Sequence, residues 1–253
     1  MSASPYVTSA TSAVGVTTVE FGTPAHNSLP AEQLAQLAAA FAEAGADEAC
    51  RAVVLRSGGE RTFCAGASFA ELVAVESPAA GEEFFMGFAR VIDAMRRCPK
   101  FIVGRVQGKA VGGGVGLVAA CDLAYATRFA AVRLSELSIG IGPFVIAPAV
   151  RRRVGAAALA EMSLRPAEFF EAAYAKTRGL YTEVVEDASE LDRLVSAKAA
   201  ELAGFGAEAS AAWKRALWRD AEDWGELLPA RAAESGRLVT LPAARRALAR
   251  LAK

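Results

Sequence analysis

The sequence predicts an α/β protein whose second half turns helical. Three observations carry this. Over the first half, short apolar runs rich in Val and Ile alternate with stretches of helical period, the pattern of βα units around a mostly parallel sheet. From about residue 145 onward, Ala, Leu, Arg and Glu at helical spacing take over and strand candidates become few. The chain has 253 residues, 53% of them hydrophobic and 22% charged, enough apolar surface for a large core and too little charge for disorder.

Residues 1 to about 10 are expected as a disordered, frayed start. VGVTTVEF (14–21) reads as a strand. PAEQLAQLAAAFAEAG (30–45) reads as a helix, with Pro30 in its first turn, Gly45 at its end, and Leu34, Leu37, Ala38 and Phe41 on one face. AVVLR (52–56) is a short buried strand closed by Gly58 and Gly59. A second helix is expected near 80–97, followed by the strand FIVGRV (101–106), a short helix after the glycines of 112–116, and the strand DLAYA (122–126). The expected organisation is a core over 11–190 and a helical region over 191–253 that offers an assembly surface.

Composition excludes several function classes. Lys+Arg and Asp+Glu are both 28, so no broad electrostatic footprint for nucleic acid or an anionic membrane is expected. The first nineteen residues carry no charged side chain and lack the basic start of a signal peptide. No run of eighteen apolar residues occurs, so no membrane span is expected. Cys50, Cys64, Cys98 and Cys121 show no CxxC and no paired spacing. They read as reduced, buried cysteines of a cytoplasmic protein. No set of His, Cys and acids has metal-ligand spacing, so no metal is expected.

Two glycine-bearing turns stand out. AVGGGVGL (110–117) packs four glycines into five residues between a strand and a helix. Amides at a helix start have no intrahelical acceptor, and glycine lets a ligand atom approach them. The stretch reads either as a backbone anion site or as close strand–helix packing. No GK[ST] follows, which excludes a Walker-type phosphate loop. RTFCAGASFAEL (61–72) holds a second tight turn before a helix. Two such turns can aim two N–H groups at one oxygen.

In order along the chain, TPAHNSL (23–29), TFCAGASFAEL, PKFIVGRVQGKAVGGGVGL, CDLAYAT, LSELSIGIGP and AYAKTRGLYTEVV resemble the enoyl-CoA hydratase/isomerase (crotonase) family over roughly residues 14–190. The resemblance implies a crotonase-like spiral of ββα units and a helical C-terminal oligomerisation region building a homotrimer or dimer of trimers. It implies an acyl-CoA thioester as substrate, as in fatty acid metabolism, with coenzyme A entering as part of that substrate and no separate cofactor. Carried over position by position, the oxyanion-hole donors fall on Ala67 and Gly113. Ala65, Gly66, Ser68, Phe69, Ala70 and Gly112 would line the substrate passage. Family members usually carry Asp at the Ser68 position.

Hydratases of the family usually carry two glutamates. One would stand at Gly116; the other is kept as Glu136. Replacing Gly116 is expected to be tolerated by the helix, whereas adding a buried charge there is not, unless water or Glu136 shares a proton with it. Leu137 to Val150 contains no charge, so burial should raise the Glu136 proton affinity towards neutrality, which suits a base that takes a proton and returns it. The competing reading is a surface Glu paired with Arg133. A single Glu resembles the Δ3,Δ2-enoyl-CoA isomerase branch, and isomerisation is the expected reaction. Hydration or decarboxylation on the same scaffold, and a noncatalytic acyl-CoA-binding protein, are the alternatives.

Remaining polar residues read as structural. His26, the only histidine, is expected in a solvated turn, and no G-x-S-x-G elbow exists to use it. Glu71 reads as a helix-start charge, with a substitute second acid as the alternative. Trp213, Trp218 and Trp224 are expected in core or subunit packing. RRR (151–153) is expected as a solvated helix face or a contact to coenzyme A phosphate.

Overall fold

The computed structural model describes residues 4–221 and 223–251. Its strands and helices run β1 (Tyr6–Thr11), β2 (Val16–Gly22), α1 (Ala31–Ala46), β3 (Ala52–Ser57), β4 (Thr62–Cys64), α2 (Phe69–Val73), α3 (Pro78–Arg97), β5 (Phe101–Val106), β6 (Lys109–Val111), α4 (Gly113–Ala120), β7 (Leu123–Thr127) and β8 (Val132–Arg133). They continue through α5 (Ala147–Leu164), α6 (Ala172–Thr177), β9 (Glu183–Val185), α7 (Ala188–Ala203), α8 (Ala207–Leu217), α9 (Trp224–Val239) and α10 (Pro242–Leu251).

The spiral follows from how successive strands are shared between two sheets. The larger sheet has the order β1-β2-β3-β5-β7-β9 and the smaller the order β4-β6-β8. From β3 to β8 each turn of chain therefore gives one strand to the large sheet, one to the small sheet, and then helix. Only β1 runs antiparallel to its neighbour; every other pairing is parallel. β5 is buried at every position, which is why it reads as an apolar run interrupted only near its end by Arg105, whose guanidinium pairs with Asp192.

The frayed start is corrected by β1. Tyr6 to Thr11 pair in register with Gly22 to Thr17, and Tyr6 Oη donates to Glu20 Oε1 at 2.8 Å. Its Ser- and Thr-rich residues suit an edge strand that is exposed over much of its length. Residues 1–3 of the expected start lie outside the described residues. The boundary drawn at 190/191 falls inside α7, whose Leu191, Val195 and Ala199 are buried against Val54, Val103 and Tyr125 of the large sheet. α7 thus belongs to the core.

The arginine run 151–153 is not simply a solvated face. Arg152 stacks over the Trp218 ring at 3.8 Å, and Arg153 donates to Asp122 O at 3.0 Å and Leu180 O at 3.2 Å. Trp218 and Trp224 are buried and meet edge to face, with centroids 5.5 Å apart, whereas Trp213 is exposed. All four cysteines are free and buried. Among the described residues no helix is long and apolar enough to cross a membrane.

A buried ion pair fastens the second half to the first. Lys214 Nζ lies 3.0 Å from Asp122 Oδ2, with side chains 2% and 6% exposed. Both partners are satisfied further: Lys214 donates to Lys100 O at 2.7 Å, and Asp122 accepts from Ile102 N and Trp218 Nε1 at 2.8 and 3.1 Å. Breaking one side of such a pair strands a buried charge. Asp122→Asn is expected to cost about 3–5 kcal/mol, and adding Lys214→Met should restore part of that loss. Urea denaturation of the single and double variants measures both changes.

Candidate active site

The first turn is shaped by the loop TPAHNSL. His26 and Asn27 both take φ 55°, and the Asn27 amide donates to Gly58 O and Thr62 O at 2.7 and 2.8 Å. That buried anchor aligns the loop beside β4. Ala65 N then donates to His26 O at 3.2 Å, Leu29 N to Gly66 O at 2.8 Å, and Ser68 N to Leu29 O at 3.0 Å. The pattern steps over Ala67. Its amide has no acceptor among the described residues.

The second turn follows β6. Gly112 takes φ 52°, and its amide donates to Arg133 O at 2.9 Å. Gly113 is the first residue of α4, so its amide has no intrahelical acceptor. Glycine at 66 brings the two turns together: with φ 91°, a Cβ there would lie 3.1 Å from Val111 O and 3.6 Å from Gly113 N. A Cβ at Gly113 would run into the Phe88 ring. Two unpartnered amides therefore sit on neighbouring turns with an aromatic wall beside them.

Glu136 opens a 3-10 turn, Glu136–Ile139, that Gly140 closes at φ 76°. Its carboxylate leans on Gly112, where a Cβ would lie 3.0 Å from Oε1. Oε2 is enclosed and accepts no hydrogen bond. Although the residue as a whole is half-buried, its carboxylate is out of water. Burial pushes its pKa up to about 7; its own and Ser135's backbone amides and the Arg133 charge offset this only in part. Arg133 makes no ion pair with it among the described residues. The Arg133 guanidinium instead lies 5.2 Å from the Phe169 ring centre.

These groups line one cavity of about 210 Å³. Ala65, Gly66, Ala67, Phe69, Gly112, Gly113 and Glu136 all border it. Ser68 and Ala70 do not. Ser68 Oγ instead accepts from Glu71 N at 3.3 Å and caps α2, a task that Asp at this position would also perform. Glu71 is turned away: its Oε2 accepts from Ala31 N at 2.9 Å and so caps α1. It does not border this cavity.

Sequence reasoning missed most of the walls. Phe84, Phe85 and Phe88 of α3 and Ile146 face the cavity, but apolar residues in a helical stretch carry no sign of which neighbour they meet. Ser235 of α9 and Leu251 of α10 also border it. The helical C-terminal region thus closes over the chain's own site. α9 crosses α3 so tightly that a Cβ on Gly81 would lie 2.7 Å from Gly236 Cα.

Gly116 corrects a further expectation. A side chain there is not tolerated: its Cβ would lie 2.5 Å from Ile146 Cγ2 and 3.3 Å from Ile92 Cδ1. Packing fills the place where a second carboxylate would start. Among the described residues no group of three or more His, Cys, Asp or Glu is placed to hold a metal ion.

The chain matches the family model for enoyl-CoA hydratase/isomerase over residues 11–245. It resembles the solved structure of an enoyl-CoA hydratase from Mycobacterium smegmatis, 32% identical, with a TM-score of 0.81 over 98% of this chain and 96% of that one. A peroxisomal Delta(3,5)-Delta(2,4)-dienoyl-CoA isomerase from Arabidopsis thaliana is 27% identical over 67% of this chain and 65% of its own. A (7aS)-7a-methyl-1,5-dioxo-2,3,5,6,7,7a-hexahydro-1H-indene-carboxyl-CoA hydrolase from Rhodococcus jostii is 34% identical over 53% of this chain and 52% of its own. By sequence, the chain spans about half the length of the first such relatives it matches.

Holding a carboxylate in this cavity has a consequence for stability. The folded protein keeps the Glu136 proton up to about pH 7, whereas the free side chain releases it near 4.5. Between those values the folded state binds more protons than the unfolded state, so stability falls as pH rises and the full cost is present above about 7. Glu136→Gln removes that term. Relative to wild type, the variant should gain roughly 2–3 kcal/mol between about pH 4 and about pH 8, read as the change in urea unfolding free energy at the two pH values.

Proposed function

The chain belongs to the enoyl-CoA hydratase/isomerase family, which works on acyl-CoA thioesters, and we propose that this member moves the double bond of a 3-enoyl-CoA to the 2 position. The Ala67 and Gly113 amides hold the thioester oxygen and Glu136 is the sole base. Ala65, Gly66, Phe69 and Gly112 line the passage of the thioester. Coenzyme A enters with the substrate, and the chemistry asks for no separate cofactor.

The observation that carries this reading is the packing at Gly116. Hydration needs a water held and activated beside C3 while a proton is delivered to C2. A second carboxylate suits that task, and here Ile146 and Ile92 crowd its position. Isomerisation needs less. The Glu136 carboxylate takes a proton from C2, and the electron pair spreads into a dienolate whose charge rests on the thioester oxygen. Two preorganised amides hold that charge, each worth about 3 kcal/mol in such a site. Protonated Glu136 then returns the proton at C4, leaving the double bond between C2 and C3. A base poised near pH 7 can give as readily as it takes. Phe88 and the apolar walls exclude water from the intermediate.

The free, buried cysteines suit a reducing compartment such as the cytoplasm. The exposed Trp213 and Leu217 of α8 and Phe205 in the bend before it border one apolar surface. Their exposure supports assembly into a trimer or a dimer of trimers, and light scattering should return three or six times the 26.3 kDa chain mass; a stable monomer at micromolar concentration contradicts the assembly.

The reaction is tested on paired 3-enoyl- and 2-enoyl-CoA substrates, with products identified by NMR. Wild type should interconvert the two and add water slowly. Glu136→Gln, nearly isosteric but unable to accept the proton, should lose about a hundredfold or more in rate. Ala67→Pro deletes one donor and should lower turnover with little loss of coenzyme A binding. Rapid formation of a 3-hydroxyacyl product, undiminished in Glu136→Gln, overturns the reading.

A further inference from the structure

The cavity that holds Glu136 contains one other charged side chain among its described lining residues, Arg133. The rest is apolar or small, apart from three serines, Ser135, Ser138 and Ser235. The two charges do not pair: no ion pair joins them among the described residues, and Glu136 Oε2 and Arg133 Nε are both buried without a hydrogen-bond partner. An unpaired carboxylate and an unpaired guanidinium facing one low-dielectric space interact through it without contact.

Arg133 is held where it is. It ends β8, and its carbonyl accepts the Gly112 amide at 2.9 Å. Gly112 in turn carries the Glu136 carboxylate against its Cα. The guanidinium stacks on Phe169, whose ring also faces Lys109 Nζ at 4.8 Å. Other charges near the base are turned elsewhere. α10 packs on the Glu136–Ile139 turn and carries Arg245, Arg246 and Arg250, but none lines the cavity, and Arg245 donates to Val73 O at 3.1 Å. α5, the other helix against that turn, carries Arg151, Arg152 and Arg153, and none of these lines it.

We propose that Arg133 is a positioning residue for the reaction: its fixed positive charge, acting through the cavity rather than by contact, keeps Glu136 available as an anion in surroundings that otherwise favour the acid. Direct pairing would hold the carboxylate too firmly ionised to return a proton, and no cation at all would favour the acid further. A guanidinium set on Phe169 supplies the intermediate field. This rests on Glu136 being the base, and the test separates the two ideas.

Arg133→Met removes the charge and keeps much of the side-chain length; Arg133→Lys keeps the charge. The backbone bond to Gly112 survives in both. In substrate-free protein the protonated Glu136 carboxyl is followed by its infrared C=O band, identified by its loss in Glu136→Gln. In parallel, the acid limb of the pH profile of kcat/KM is measured on a 3-enoyl-CoA. Arg133→Met should move the infrared midpoint upward by about one pH unit, with Arg133→Lys staying near wild type, and the rate profile should move by the same amount. The proposal is overturned if the infrared midpoint is unchanged in Arg133→Met, or moves equally in Arg133→Lys. An infrared midpoint that moves while the rate profile stays in place supports the Arg133 field on Glu136 and overturns only Glu136 as the base.

Discussion

Two backbone amides left without acceptors are the constraint around which this molecule is arranged. Ala67 and Gly113 are half-buried at the cavity, and a donor withdrawn from water with no partner costs up to about 1–3 kcal/mol, so a chain free to relax would satisfy it. Here relaxation is blocked because the neighbouring groups are already committed. Leu29 takes both Gly66 O and Ser68 N, His26 takes Ala65 N, and Arg133 takes Gly112 N. Ala67 is stepped over by a loop that Asn27 anchors from below. Gly113 is left over by the geometry of a helix start. The small parallel sheet β4-β6-β8 brings both turns and the Glu136 segment to one end, because parallel strands end on the same side.

Two carboxylates buried among the described residues, those of Asp122 and Glu136, are treated in opposite ways. Asp122 is paired with Lys214 and accepts from Ile102 and Trp218, so its charge is fully compensated and its task is structural. Glu136 has an enclosed oxygen with nothing to accept, so its charge is costly and its proton is exchangeable near neutrality. The first arrangement resists change and the second invites it. A site that moves a proton needs the second kind, and a fold that must keep that site in register needs the first.

The C-terminal helices join these two requirements. Lys214 and Trp218 bind α8 and the turn after it to Asp122 in the core. α9 then crosses α3 through the Gly81–Gly236 approach, and α10 packs on the Glu136 turn and α2. Ser235 and Leu251 reach the cavity this way. α3 consequently has one face on α1 and α9 and presents Phe85 and Phe88 to the reaction space. Closing the cavity is what removes water from the Glu136 carboxylate, so the electrostatics of that carboxylate depend on helices that begin far along the chain.

Much of this was legible from residues alone. β3, β5 and β7 announce themselves as largely apolar runs because both faces of a parallel sheet are covered, and β2 by apolar residues at every second or third position. The glycine turns and Glu136 at the head of the charge-free stretch 137–150 are likewise local facts: a bare backbone at a helix start exposes its amides wherever the helix goes, and a carboxylate that leads into a long uncharged run is a candidate for burial. β1 was not legible, since its Ser- and Thr-rich residues become a strand only by pairing with β2. Nor was the crowding of Gly116 by Ile146, the turning of Glu71 to cap α1, or the reach of Leu251 to the cavity. Propensity and period describe a residue and its near neighbours along the chain. Which side chain stands across a gap is set by how distant segments pack, and that is where the tertiary structure alone decided that the space at Gly116 is filled by an isoleucine.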